Sequence, residues 1–120
     1  MSSPAGGSVL EVEPAGAAAV VRFRLPELVT WETVQAVGRG LYDLVEREGR
    51  VRLVLDFGAV GHVHTDLLAK LLGAKRRAES AGGWLRLCGL NPRVRELFAL
   101  TRLDGLFPIY ADAAEALRDV

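Results

Sequence analysis

The chain has 120 residues, half hydrophobic and a quarter charged, with 15 basic against 15 acidic residues and a formal net charge of zero. That length supports one domain burying roughly two-thirds of its unfolded surface, while the balanced charge argues against a nucleic-acid binder, which carries a basic excess or stripe. The single cysteine, Cys88, excludes an internal disulfide, no apolar run reaches the ~20 residues of a membrane span, and the opening MSSPAGGS lacks the charged and apolar regions of a signal peptide, so a cytoplasmic protein without membrane contact is expected.

Residues 1–8 are small and polar and are expected to form a disordered tail, with one domain over 9–120. Val9 to Glu13 alternates weakly, Pro14-Ala15-Gly16 reads as a turn, and Ala18 to Leu25 alternates clearly, which predicts an antiparallel hairpin. Pro26 to Val29 reads as a connection. Thr30 is placed as an N-cap, with Glu32 in the first turn and Val34, Val37, Leu41, Leu44 and Val45 at helical spacing up to Gly49. Gly38 and Gly40 weaken that helix by about 1 kcal/mol each unless something packs closely against them.

Val51, Leu53, Val54 and Leu55 make a short apolar run suited to a buried strand, ended by Asp56-Phe57 and a turn over Gly58 to Gly61. From Thr65 the period becomes helical, with Leu67, Leu68, Leu71 and Leu72 on one face until Gly82-Gly83. Trp84 to Cys88 predicts another strand, with Arg86 outward. Asn91-Pro92 is a cap followed by proline at the first helical position, and Val94, Leu97, Phe98 and Thr101 share a face. Asp104-Gly105 breaks the chain, Leu106 to Tyr110 predicts a short strand, and Asp112 to Glu115 has capping-box spacing for a last helix from Ala113 to about Asp119. The order β-β-α-β-α-β-α-β-α predicts an α/β domain with a mixed, mostly parallel sheet flanked by helices.

Asp56, His62, His64, Thr65 and Asp66 fall where a strand C-terminus meets a helix N-terminus, the place where such sheets gather functional groups. His62-Val63-His64-Thr65-Asp66 has the H-x-H-x-D spacing of a binuclear metallo-hydrolase, but these are the chain's two histidines and Leu67 stands where another ligand would. A small metal-dependent hydrolase is therefore the remote alternative, and neither a metal nor another cofactor is expected. Cys88 lies in an apolar strand, where cysteine behaves as a small hydrophobe, and no oxyanion-hole or phosphate-loop signature accompanies Thr65. Thr65 reads as the N-cap of its helix, with a hydroxyl at the positive end of the helix dipole that could accept a phosphate. Lys70, Lys75, Arg76 and Arg77 read as a solvated helix face, and Trp31 and Trp84 as packing residues.

The stretch from Leu53 to Tyr110 resembles the STAS domain of anti-sigma-factor antagonists. The resemblance rests on Leu55-Asp56-Phe57 with Val60, on Ala81-Gly82-Gly83, and on Asn91-Pro92 through Arg102-Leu103-Asp104-Gly105-Leu106-Phe107. It implies a STAS-like fold and a regulator that is not an enzyme. Its implied partner is an anti-sigma factor that is also a serine/threonine kinase of the GHKL type, and binding is controlled by phosphorylation at Thr65. The family's usual Asp-Ser-Ser-Gly is here His64-Thr65-Asp66-Leu67, which leaves open a STAS scaffold that binds a partner or ligand without being phosphorylated. In either case the expected docking face takes Asp56, Gly58, Gly61, His62, His64 and Asp66 from the loop, with Lys70 and Arg76 from the helix. Arginines such as Arg76 are the expected hot spots.

Overall fold

The computed structural model describes residues 9–120, so the tail expected over residues 1–8 lies outside the described residues. Strands β1 (Leu10–Ala15) and β2 (Ala18–Phe23) form the antiparallel hairpin, with Leu10 opposite Phe23 and Ala15 opposite Ala18. Next come β3 (Glu27–Leu28), helix α1 (Trp31–Glu46), β4 (Arg52–Asp56), β5 (His62–Val63), helix α2 (Thr65–Ser80) and β6 (Trp84–Cys88). Helix α3 (Pro92–Leu100), β7 (Ile109–Tyr110) and helix α4 (Ala113–Ala116) complete the chain. Five strands form the main sheet in the order β1-β2-β4-β6-β7, parallel except for the first pair.

Strand β4 is central because both of its faces are covered: Leu53, Val54 and Leu55 are fully buried. Each such side chain stabilises the fold by about 1.5–3 kcal/mol relative to an exposed one. Leu53 and Leu55 join the main core with Val37 and Leu41 of α1, Leu67 and Leu71 of α2, and Val94 and Phe98 of α3. Val54 faces the other side, in a smaller cluster with Val20, Cys88 and Ala116 under α4. Pleating alone separates these sets, since successive strand residues point to opposite faces.

The helices start where sequence chemistry places them, with one exception. Thr30 Oγ1 accepts from the Thr33 amide at 3.1 Å, Asn91 Oδ1 from Val94 at 2.8 Å and Asp112 Oδ1 from Glu115 at 2.8 Å. Helix α2 is the exception. His64, not Thr65, is its N-cap, because Nδ1 of His64 accepts the Asp66 amide at 3.0 Å, and Thr65 is the first helical residue. The last helix is also shorter than expected, ending at Ala116.

Gly38 of α1 does have a close neighbour: a Cβ there would stand 2.8 Å from Cδ of Lys70. The lysine stem thus lies against bare backbone, and Lys70 is half-buried rather than solvated. Lys75 binds Glu79 at 2.7 Å, and Arg77 reaches Glu46 at 3.0 Å while stacking over Tyr42 at 3.9 Å. Of the four basic residues read as a solvated face, Arg76 is the exposed one. Arg86 also departs from expectation. Its side chain is only 13% exposed, lies 3.8 Å over the Trp84 ring, and donates to Ala116 O at 2.8 Å and Asp119 Oδ1 at 2.7 Å. It staples the C-terminal segment to the second face of the sheet.

Candidate functional site

Pro26 to Val29 is more than a connection. Glu27 and Leu28 pair in parallel with His62 and Val63 as a separate two-stranded sheet. The Gly61 amide donates to Pro26 O at 2.7 Å before the pair, and the His64 amide to Leu28 O at 3.0 Å after it. Such two-residue strands are invisible to periodicity, because two residues cannot establish a period. Their effect is to hold segment 26–31 alongside segment 61–66.

A second clamp comes from α3. While Asn91 Oδ1 caps its own helix, Nδ2 donates to Val60 O at 3.3 Å and Gly61 O at 3.2 Å. The Gly58–Gly61 turn is therefore held from both sides. At its start, Asp56 Oδ1 accepts the Gly58 amide at 2.9 Å and Oδ2 lies 3.3 Å from Arg22 Nε. Arg22 in turn binds Glu13 at 2.6 Å. The guanidinium is held above its ordinary value first by its bond to Glu13, with Asp56 adding to the effect. Asp56 is 19% exposed and engaged on the second sheet face, away from the imidazoles with which the sequence grouped it.

The remaining loop residues do gather. His62, His64, Thr65 and Asp66 are all exposed, on one edge at the strand C-termini. His62 is bracketed: Nδ1 lies 3.5 Å from Glu27, and Nε2 meets an Arg93 guanidinium nitrogen. Arg93 can only donate, so its contact uses the Nε2 lone pair of His62. His64 uses its Nδ1 lone pair as the cap, which only an imidazole without a proton on that nitrogen can do. The two rings thus face different partners, and among the described residues no group of three or more His, Cys, Asp or Glu side chains could hold a metal ion.

Cys88 is fully buried, and burial first, then the nearby Asp56 charge, pushes its thiol up to about 12. A thiol so placed is not a nucleophile near neutral pH. Lys70 and Arg76 lie along α2 rather than at its head, and the ten positions from Asp66 to Arg76 span roughly 15 Å of helix. Arg76 borders an open groove with Val45, Glu46, Arg77 and Ser80.

Trp31 overturns its reading as a packing residue. It is 69% exposed, and with Val29, Val34, His64 and Asp66 it lines a shallow groove beside Thr65. Three residues before Val34, it falls at the edge of the apolar stripe of α1, so helical spacing gives no signal that it stands in water. Asn91 and Arg93 were missed as loop-holding groups because their contacts lie some thirty positions away in the chain.

Comparison with known proteins agrees with this architecture. A solved anti-sigma factor antagonist from Mycobacterium paratuberculosis superposes with a TM-score of 0.80 at 26% identity, covering 100% of this chain and 98% of that one. A Thermotoga maritima protein assigned as an anti-sigma factor antagonist gives a TM-score of 0.82 at 20% identity, covering 98% of each chain. BtrV of Bordetella bronchiseptica, likewise assigned as an anti-sigma factor antagonist, is 33% identical over 69 residues, 58% of this chain and 59% of that relative's length. Members of the matching family are regulatory binding proteins rather than enzymes. With the STAS domain matched over residues 11–116, the chain belongs to the STAS domain family.

Proposed function

We propose that this protein is an anti-sigma-factor antagonist that works by switching partners. In this reading it binds an anti-sigma factor that is also a serine/threonine kinase of the GHKL type, in the cytoplasm, and phosphorylation of Thr65 ends the binding. The docking face comprises the loop from Gly58 through Gly61, His62, His64 and Asp66, together with the outer side of α2. Asp56 shapes the loop from beneath, while Lys70 and Arg76 extend the face along the helix.

The observation that carries the reading is the exposed Thr65 side chain in the first turn of a sixteen-residue helix. A phosphate there adds about −1.5 to −2 charge and is tolerated by the helix dipole, so the fold survives modification. A kinase that transfers a γ-phosphoryl to Thr65 must face it with a nucleotide. The new phosphate then confronts the phosphates of the remaining diphosphate, and like charges at that contact drive the complex apart.

The test is to incubate the protein with the kinase-type anti-sigma factor of its own genome and ATP, then locate the modification by mass spectrometry. Phosphate on Thr65 is expected, and Thr65→Asp is expected to weaken binding about tenfold, as a misplaced charge at an interface does. Phosphate elsewhere, or undiminished binding by Thr65→Asp, overturns the switch. A second reading, binding without phosphorylation, draws on the exposed Asp66, which places a carboxyl group next to the hydroxyl. Its signature is an affinity indifferent to ATP and to Thr65→Ala.

A further inference from the structure

We propose that Trp31, supported by Val29, is the anchor that seats the anti-sigma partner, and that the partner presents an apolar cup with basic side chains at its rim. The proposal rests on the partner-binding reading above but not on the phosphorylation of Thr65. Three observations carry it.

The first is placement. The paired segments 26–31 and 61–66 run side by side, with Leu28 buried and Glu27 and Val29 turned outward by strand alternation. One turn further, Trp31 stands beside His64 and Asp66, in the same groove and adjacent to Thr65. The second is exposure. A tryptophan ordinarily buries roughly 150–250 Å² in a core or interface, whereas Trp31 is 69% exposed and Val29 37% exposed. Large apolar side chains left together in water mark interaction sites, and tryptophan leads the residues that dominate interface energetics. The third is charge. Asp66 lines the groove and exposed Glu32 follows Trp31 in the first turn of α1, so the matching surface is basic beside an apolar hollow. Thr65 then lies at the margin of the anchor, where a kinase held by Trp31 reaches its hydroxyl.

The experiment measures affinity by titration calorimetry for the ADP-loaded anti-sigma factor, in wild-type and Thr65→Ala backgrounds. Trp31→Ala is expected to weaken binding about 30-fold in both, the scale of a central aromatic hot spot, with Trp31→Phe restoring part of it. Because Thr65→Ala cannot be phosphorylated, loss in that background sustains the anchor even if Thr65 is never modified. Affinity unchanged by Trp31→Ala overturns the anchor whether or not Thr65 is a phosphoacceptor, and absence of wild-type binding overturns both. Glu32→Lys is expected to slow association and flatten its salt dependence, and faster association instead overturns the basic rim. In a Trp84→Phe background, Trp31 emission is expected to shift to the blue on complex formation. Sedimentation is run in parallel, and a wild-type dimer dissolved by Trp31→Ala with unchanged partner affinity assigns the groove to a second copy and overturns the proposal.

Discussion

The head of α2 and the head of α3 stand side by side at the strand C-termini, joined through the Asn91 amide, yet their side chains are employed in opposite ways. At α3, both ends of Asn91 are committed: Oδ1 closes its own helix and Nδ2 holds the Val60 and Gly61 carbonyls. At α2, His64 commits one nitrogen to the cap, while Thr65 and Asp66 face solvent. A helix start whose polar atoms are committed internally holds a structure together. One whose polar atoms face outward is free to meet something else, and it can do so because its neighbour keeps the loop beneath it still.

Breaking the α3 side should have the largest effect. Asn91→Ala removes a cap, which costs about 1 kcal/mol, and frees two carbonyls, for a total loss of roughly 2 kcal/mol in urea denaturation. Faster amide exchange at Gly61 should accompany it, and a loss below about 0.5 kcal/mol would show that the amide does not clamp the loop. His64→Ala should cost less, about 0.5–1 kcal/mol, and His64→Asn should recover it, because asparagine is a good cap. Equal losses for alanine and asparagine would mean that the Nδ1 bond is not what matters.

Away from both helix heads, Cys88 should not react with a thiol reagent in the native protein at neutral pH, and should react once the chain is unfolded, since its thiol is pushed up to about 12 by burial. The smallest effect belongs to Asp119. Its carboxyl is held below its ordinary value first by the bond to Arg86. A lowered folded value means the contribution is present above the ordinary carboxylate range and disappears as pH falls through the folded value. The stability difference between wild type and Asp119→Asn should therefore be small at neutral pH and vanish in acid, because the group is solvent-exposed.

The long elements are legible in the amino-acid sequence, since each carries a repeating signal. Helix α1 shows its stripe from Val34 to Val45 and its Thr30 cap, and β4 shows its apolar run. What escaped was short or distant. The β3–β5 pair has two residues per strand and no period to read. Histidine is not a favoured capping residue, so the sequence does not mark His64 as the cap, and only the orientation of its ring brings Nδ1 to the Asp66 amide. For Arg86, strand alternation says which face the side chain takes but not what folds over that face.

By itself, the order of apolar periods and caps determined an α/β domain with a buried strand over Val51 to Leu55 and a hydroxyl at the head of the helix that follows, because burial and capping are local demands that each segment must meet. Only the tertiary structure decided that His62 and His64 face different partners, that Asp56 works on the other side of the sheet, and that Trp31 stands in water beside Thr65. Those outcomes depend on chain segments some thirty residues apart coming into register, and no periodicity within a single segment encodes that distance.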